Sequence, residues 1–150
     1  MLIASALPMN RFLLLEDDPH YRGILERVLL RSESCAVTSV ATEAQAWEVL
    51  SREEFDLVLL DLHIDGRCCW ETLKRVVHRP GRHSAIVLSC DDTRENADRA
   101  RSLGAFAFLP KPIDFARLKS TVDSALRGET REAPPKAAPP GEGTPLVGVS

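Results

Sequence analysis

The chain lacks any apolar run approaching the roughly 18 residues that span a bilayer. Its opening, MLIASALP, has no basic segment ahead of a short apolar stretch, so it does not read as a secretory signal. Four cysteines, Cys35, Cys68, Cys69 and Cys90, form no CxxC pair and share no zinc-like spacing with histidine. They read as reduced thiols in or beside the core; with neither span nor signal, the expectation is a cytoplasmic protein with no membrane association. No glycine-rich phosphate loop of the nucleotide-binding type occurs, and no internal repeat. Neither sign of charge dominates: a net charge of −3 argues against direct, non-specific nucleic-acid binding. What is present, 44% hydrophobic with 27% charged residues, is the composition of a soluble globular domain, and 150 residues suffice for one full core but not two.

Apolar runs and helical patterns alternate five times. Arg11 to Leu15 reads as a first strand, followed by Glu16, Asp17, Asp18 and Pro19. Asp18 fits a helix N-cap and Pro19 the first helical position, which leaves Glu16 and Asp17 as free acids at the strand's end. The helix that follows puts Tyr21, Ile24, Leu25, Val28 and Leu29 on one face. Ala36 to Val40 reads as a second strand near an edge, and Thr42 with Gln45 is a capping-box pattern opening a helix to about Arg52. Asp56 precedes Leu57, Val58, Leu59 and Leu60, a run suited to a strand buried on both faces, and that run ends on Asp61. Trp70, Leu73, Val76 and Val77 recur at helical spacing until Arg79, Pro80 and Gly81.

Ser84 to Ser89 reads as a fourth strand ending on a hydroxyl. Asp91 to Leu103 reads as a charged helix whose inner face is only Ala97, Ala100 and Leu103, with Gly104 as its cap, and so as a weakly held element. Ala105 to Leu109 is a fifth strand closed by Pro110, Lys111 and Pro112, and Ile113 to Leu126 a last helix with Phe115, Leu118 and Val122 facing inward. From Gly128 the chain holds half of its prolines and half of its glycines, a composition that cannot offset its ordering entropy. The expected organisation is therefore a lead-in over 1–9, one domain over 10–127 and a disordered tail over 128–150. Alternating strands and helices specify an α/β fold: a doubly wound five-stranded parallel sheet with helices on both faces.

In such a sheet the carboxyl ends of the strands form the ligand crevice. Glu16, Asp17, Asp61, Ser89 and Lys111 all fall there. An isolated strand-end aspartate is usually only a cap, but three crowded carboxylates repel one another unless a divalent cation offsets the charge. Magnesium suits oxygen ligands, one or two carboxylates and retained waters. Lys111 adds a compact positive charge and Ser89 a donor hydroxyl. Carboxylate nucleophile, metal, ammonium and hydroxyl together describe phosphoryl transfer onto aspartate.

The segments LLLEDDP, DLVLLD, IVLS and GAFAFLPKP, in this order and at these separations, resemble the receiver domain of two-component response regulators over about Arg11 to Leu126. The resemblance implies the flavodoxin-like strand order 2-1-3-4-5, counting the five strands in chain order. It implies that Asp61 accepts the phosphoryl group and that Glu16 and Asp17 hold magnesium. It assigns the switch roles to Ser89 and Phe108, the phosphoryl contact to Lys111, a metal-ligating backbone carbonyl to His63, and a cis bond to Lys111–Pro112. The implied partners are a histidine kinase or phosphotransfer protein and a downstream protein effector docking on the fourth helix, fifth strand and fifth helix, with phosphorylation-dependent homodimerisation left open. No output domain is expected after Leu126, which suggests a stand-alone, chemotaxis-type receiver, with a fragment of a larger regulator as the alternative.

This sequence also departs from the family pattern. Asp65 and Cys69 stand where proline and glycine are common, with Gly66 nearby, so the loop after Asp61 is expected to take its own path. His63 and Cys90 border the phosphoryl position and are expected to tune autodephosphorylation. Two other readings remain at this point: a receiver-fold adaptor that is never phosphorylated, and a haloacid-dehalogenase-like phosphatase. The latter usually needs a second aspartate where this chain has His63. Neither the receiver nor the adaptor reading makes the protein an enzyme beyond self-catalysed phosphotransfer and dephosphorylation.

Overall fold

The computed structural model describes residues 9–31, 35–81 and 83–129. The tail expected over 128–150 lies, from residue 130 on, outside the described residues, as do 1–8 of the lead-in. The elements run β1 (Asn10–Leu15), α1 (Pro19–Leu30), β2 (Cys35–Val40), α2 (Glu43–Leu50), β3 (Leu57–Asp61), β4 (His63–Ile64), β5 (Arg67–Cys68), α3 (Trp70–Val77), β6 (Ser84–Ser89), α4 (Arg94–Ser102), β7 (Ala107–Pro110) and α5 (Phe115–Leu126). Five strands form one parallel sheet in the order β2-β1-β3-β6-β7. This is the flavodoxin-like order that the resemblance implies, with β6 and β7 as its fourth and fifth strands. Helices cover both faces, and no helix among the described residues is long and apolar enough to cross a membrane.

Every residue of β3 is buried, as its unbroken apolar run requires of a central strand. Alternate side chains feed two cores. Leu13, Leu15, Val58, Leu60, Val87 and Phe108 pack with α2, α3 and α4, while Phe12, Leu14, Leu57, Leu59, Ile86 and Leu109 pack with α1 and α5. Each fully buried leucine contributes about 1.5–3 kcal/mol relative to exposure, so the central strands fix where the polar rim must lie.

Local chemistry sets the helix ends. Asp18 accepts from the His20 and Tyr21 amides ahead of Pro19, and Thr42 and Gln45 form the expected capping box. Helix α4 starts at Arg94, three residues later than the sequence pattern suggested. Thr93 accepts from the Asn96 amide as N-cap, while Asp91 is taken up by a turn with Ser89. Phe115, expected to face inward, is 41% exposed: it is the first residue after the Asp114 cap, and Ile113 is buried just before the helix. Gly104 has φ 110°, and a Cβ there would lie 2.4 Å from Val77 Cγ1.

After Asp61 the chain makes a small antiparallel hairpin, β4–β5, in which Ile64 opposes Arg67. Its two-residue turn is Asp65–Gly66, with φ of 56° and 75°. Two successive positive φ values match the twist of tight hairpins and suit Asp-Gly. The Cys69 amide donates to the Leu62 carbonyl at 2.7 Å, closing the hairpin before α3, whose N-cap Cys69 makes no side-chain capping bond.

Candidate functional site

Parallel pairing brings the strand ends to one rim. Leu15 pairs with both Val40 and Leu60, Asp61 with Leu88, and Ser89 with Pro110. The Glu16 amide continues the first pairing by donating to the Val40 carbonyl, and the Lys111 amide continues the last by donating to the Ser89 carbonyl. Residues distant in sequence thus become neighbours because their strands are in register.

Glu16, Asp17 and Asp61 each offer a carboxylate oxygen, all within 4.8 Å of one another; Glu16 and Asp61 are buried and Asp17 is exposed. Lys111 Nζ bridges the two buried acids, 2.6 Å from Glu16 Oε1 and 2.9 Å from Asp61 Oδ2. The other Asp61 oxygen accepts from the His63 amide at 3.0 Å, and the other Glu16 oxygen from the Asp18 amide at 3.2 Å. Asp17 Oδ2 accepts from the amide of Asp65 at the hairpin tip, 3.1 Å away. Arg22 fixes the backbone below this cluster by donating to the Glu16 carbonyl at 2.8 Å.

Charge crowding shows in the titration of these groups. Burial pushes the Glu16 carboxyl up; the Lys111 hydrogen bond pulls it down and neighbouring Asp61 raises it again, leaving it at about 7. Burial works to lower Lys111, but hydrogen bonds and charge from Glu16 and Asp61 together raise it above the ordinary lysine value. One ammonium, shared by two of the three acids, leaves negative charge in the cluster for a cation to neutralise. Hard oxygen donors, two buried and one open to solvent, fit magnesium, whose octahedral shell uses few carboxylates and keeps several waters.

The remaining predicted residues take distinct places. Ser89 is fully buried, with its hydroxyl accepting from the Asp91 amide at 3.0 Å and donating to the Asp91 carbonyl at 3.2 Å. Phe108 is buried in the core shared with α4, so it lies beneath the rim. His63 is half-buried on β4, with Nδ1 buried and unpartnered among the described residues. Cys90 is exposed where β6 leaves the sheet. The Lys111–Pro112 bond is cis, as the resemblance implies.

Two contributors have no role in the sequence reading. The Asp65 amide, which tethers Asp17, was detectable only through the hairpin signal of Asp-Gly between short strands. Tyr21, read there simply as core, has its ring centroid 4.5 Å from Lys111 Nζ, and its hydroxyl accepts from the Ile113 amide at 2.9 Å.

A family model, the response regulator receiver domain, matches residues 12–123. Response regulator protein PilR of Pseudomonas aeruginosa is 31% identical over 140 residues, covering 91% of this chain and 31% of that protein. DNA-binding transcriptional regulator NtrC of Bradyrhizobium is 32% identical over 146 residues, covering 96% of this chain and 30% of its own. This chain therefore spans about a third of the length of the curated relatives it matches. Among solved structures, the signal receiver domain of a DNA-binding response regulator from Colwellia psychrerythraea superposes with a TM-score of 0.73 at 23% identity, covering 79% of this chain and 98% of the other. The chemotaxis response regulator CheY4 of Vibrio cholerae superposes with a TM-score of 0.69 at 20% identity, covering 79% and 99%. These two likenesses show the fold, while the family model shows the lineage: the chain belongs to the receiver domains of two-component response regulators.

Proposed function

We propose that the receiver domain, over 10–127, takes a phosphoryl group onto Asp61 from a histidine kinase or phosphotransfer protein and signals to a downstream protein effector. The observation that carries this reading is Lys111 Nζ bridging Glu16 and Asp61, two of three convergent carboxylates. Magnesium, held by Glu16, Asp17, Asp61 and the backbone carbonyl of His63, would neutralise charge on the transferred phosphoryl group. An Asp61 carboxylate oxygen attacks phosphorus, a P–O bond forms, and the P–N bond to the donor imidazole breaks with its electron pair returning to nitrogen. Lys111 then exchanges a carboxylate partner for a phosphoryl oxygen.

The Ser89 hydroxyl does the same, giving up its turn with Asp91. Movement of Ser89 vacates space for Phe108, which shares a core with the buried face of α4. The two-state element is thus the surface of α4, β7 and α5, on which an effector or a second copy docks. His63 and Cys90 set access of water to the acyl phosphate, so exchanging both for residues commoner at those positions changes its lifetime.

Family membership displaces the dehalogenase-like reading. The test is incubation with magnesium and acetyl phosphate or beryllofluoride, comparing wild type with Asp61→Asn by mass and tryptophan fluorescence. Wild type gains one phosphoryl group and the variant none. A folded wild type that neither gains mass nor responds to beryllofluoride overturns the proposal in favour of the unphosphorylated adaptor.

A further inference from the structure

We infer that Tyr21 is a positioning residue for Lys111, its ring steadying the ammonium and its hydroxyl clamping the turn that carries the lysine. The inference rests on the phospho-accepting reading, because it gives Tyr21 a part in that same reaction.

Tyr21 sits in the first turn of α1, where Asp18 accepts from its amide at 3.3 Å. Its backbone is therefore anchored at the helix start that immediately follows Glu16 and Asp17. Lys111 Nζ lies 4.5 Å from the ring centroid, inside the range of cation–π attraction. The lysine side chain is only 15% exposed, so water screens that attraction little. The hydroxyl reaches further, accepting from the amide of Ile113, two residues after the lysine. On the other side, the Lys111 amide is bonded to Ser89. The lysine thus hangs between β6 and α1, and Tyr21 is the α1 attachment of both its backbone and its charge.

A neutral ring suits this task better than another acid. Glu16 and Asp61 take two of the three ammonium donors, so Lys111 must turn to offer a phosphoryl oxygen the third or exchange one of the two. A third carboxylate would compete for the remaining donor and would repel the incoming anion. The π face attracts the ammonium without that repulsion and leaves it free to pivot. Simple packing predicts something different, since leucine would fill similar space while neither attracting the ammonium nor accepting from Ile113.

The experiment uses the full chain with Tyr21→Phe, Tyr21→Leu and a series of mono-, di- and trifluorinated phenylalanines at residue 21. Phosphorylation by acetyl phosphate is timed by mass, and magnesium affinity is measured by calorimetry. The expected result is a rate about threefold lower for Tyr21→Phe, from loss of the hydroxyl's bond, and about tenfold lower for Tyr21→Leu. Magnesium affinity should change less than about twofold in both, since the acids are intact. Each added fluorine, which weakens the ring's negative face at nearly constant shape, lowers the rate further. Rates insensitive to fluorination, or a Tyr21→Leu protein as fast as wild type, overturn the assignment while leaving Asp61 as acceptor. A folded wild type that takes no phosphoryl group overturns both. If Tyr21→Leu does not fold by circular dichroism, the isosteric fluorinated series decides alone.

Discussion

Helices α4 and α5 lie against opposite faces of the edge strand β7 and are anchored unequally. Phe108 shares its core with Ala97 and Ala100 of α4, whereas Ala107 and Leu109 share theirs with Leu118, Val122 and Ala125 of α5. Two alanines offer little apolar area, while Leu118 alone is worth about 1.5–3 kcal/mol. The caps repeat the contrast: Asp114 accepts from two amides at the start of α5, Thr93 from one at the start of α4. Helix α4 gains instead from surface contacts, chiefly the Arg99 guanidinium 4.5 Å from the Trp70 ring centroid. One side of the edge strand is thus a firm support and the other a light attachment, the division that a conformational switch with a small energy gap needs.

The largest effect should come from attacking the firm side. Leu118→Ala should cost about 2–5 kcal/mol in urea unfolding, because Leu118 is fully buried and its neighbours close the gap only in part. Hydrogen exchange tests the contrast in the intact protein: amides of α4 should open at least about 1 kcal/mol more easily than those of α5. With magnesium and beryllofluoride the protection of α4 should change while that of the α5 core holds. Equal protection in both helices would remove the contrast. On the light side, Ala100→Gly should cost about 1 kcal/mol, mostly through backbone entropy. Smallest is Arg99→Ala, at about 0.5 kcal/mol for an exposed cation–π pair, read most directly as a shift in Trp70 emission.

Most of this architecture was legible in the residues because burial on both faces leaves an unambiguous mark. Leu57 to Leu60 and Ser84 to Ser89 could be little else than central strands, and strand ends then dictated where Glu16, Asp17, Asp61, Ser89 and Lys111 would meet. What escaped was short or long-range. The β4–β5 hairpin has only two residues a side, so no period-2 pattern could reveal it, although Asp65–Gly66 was a usable turn signal. Phe115 looked inward by helical spacing, yet a residue just past an N-cap has little helix behind it to press it onto the sheet. The partnership of Tyr21 with Lys111 joins residues 90 positions apart, and a tyrosine on an apolar helix face reads first as core. The Glu16–Lys111–Asp61 bridge was implicit in the strand ends, but its resting arrangement depends on side-chain reach that no spacing encodes.

One bond at the rim ties acid chemistry to a second moving part. Asp17 spends one of its oxygens on the hairpin tip, through the amide of Asp65, and that hairpin is fastened at its base to Cys69, the N-cap of α3. Anything that competes for this oxygen tugs on a lever two residues wide. Were the proposed ion to take this oxygen, the hairpin and the start of α3 would respond before any phosphorus chemistry, a separation between loading and phosphorylation that the proposed function would then carry.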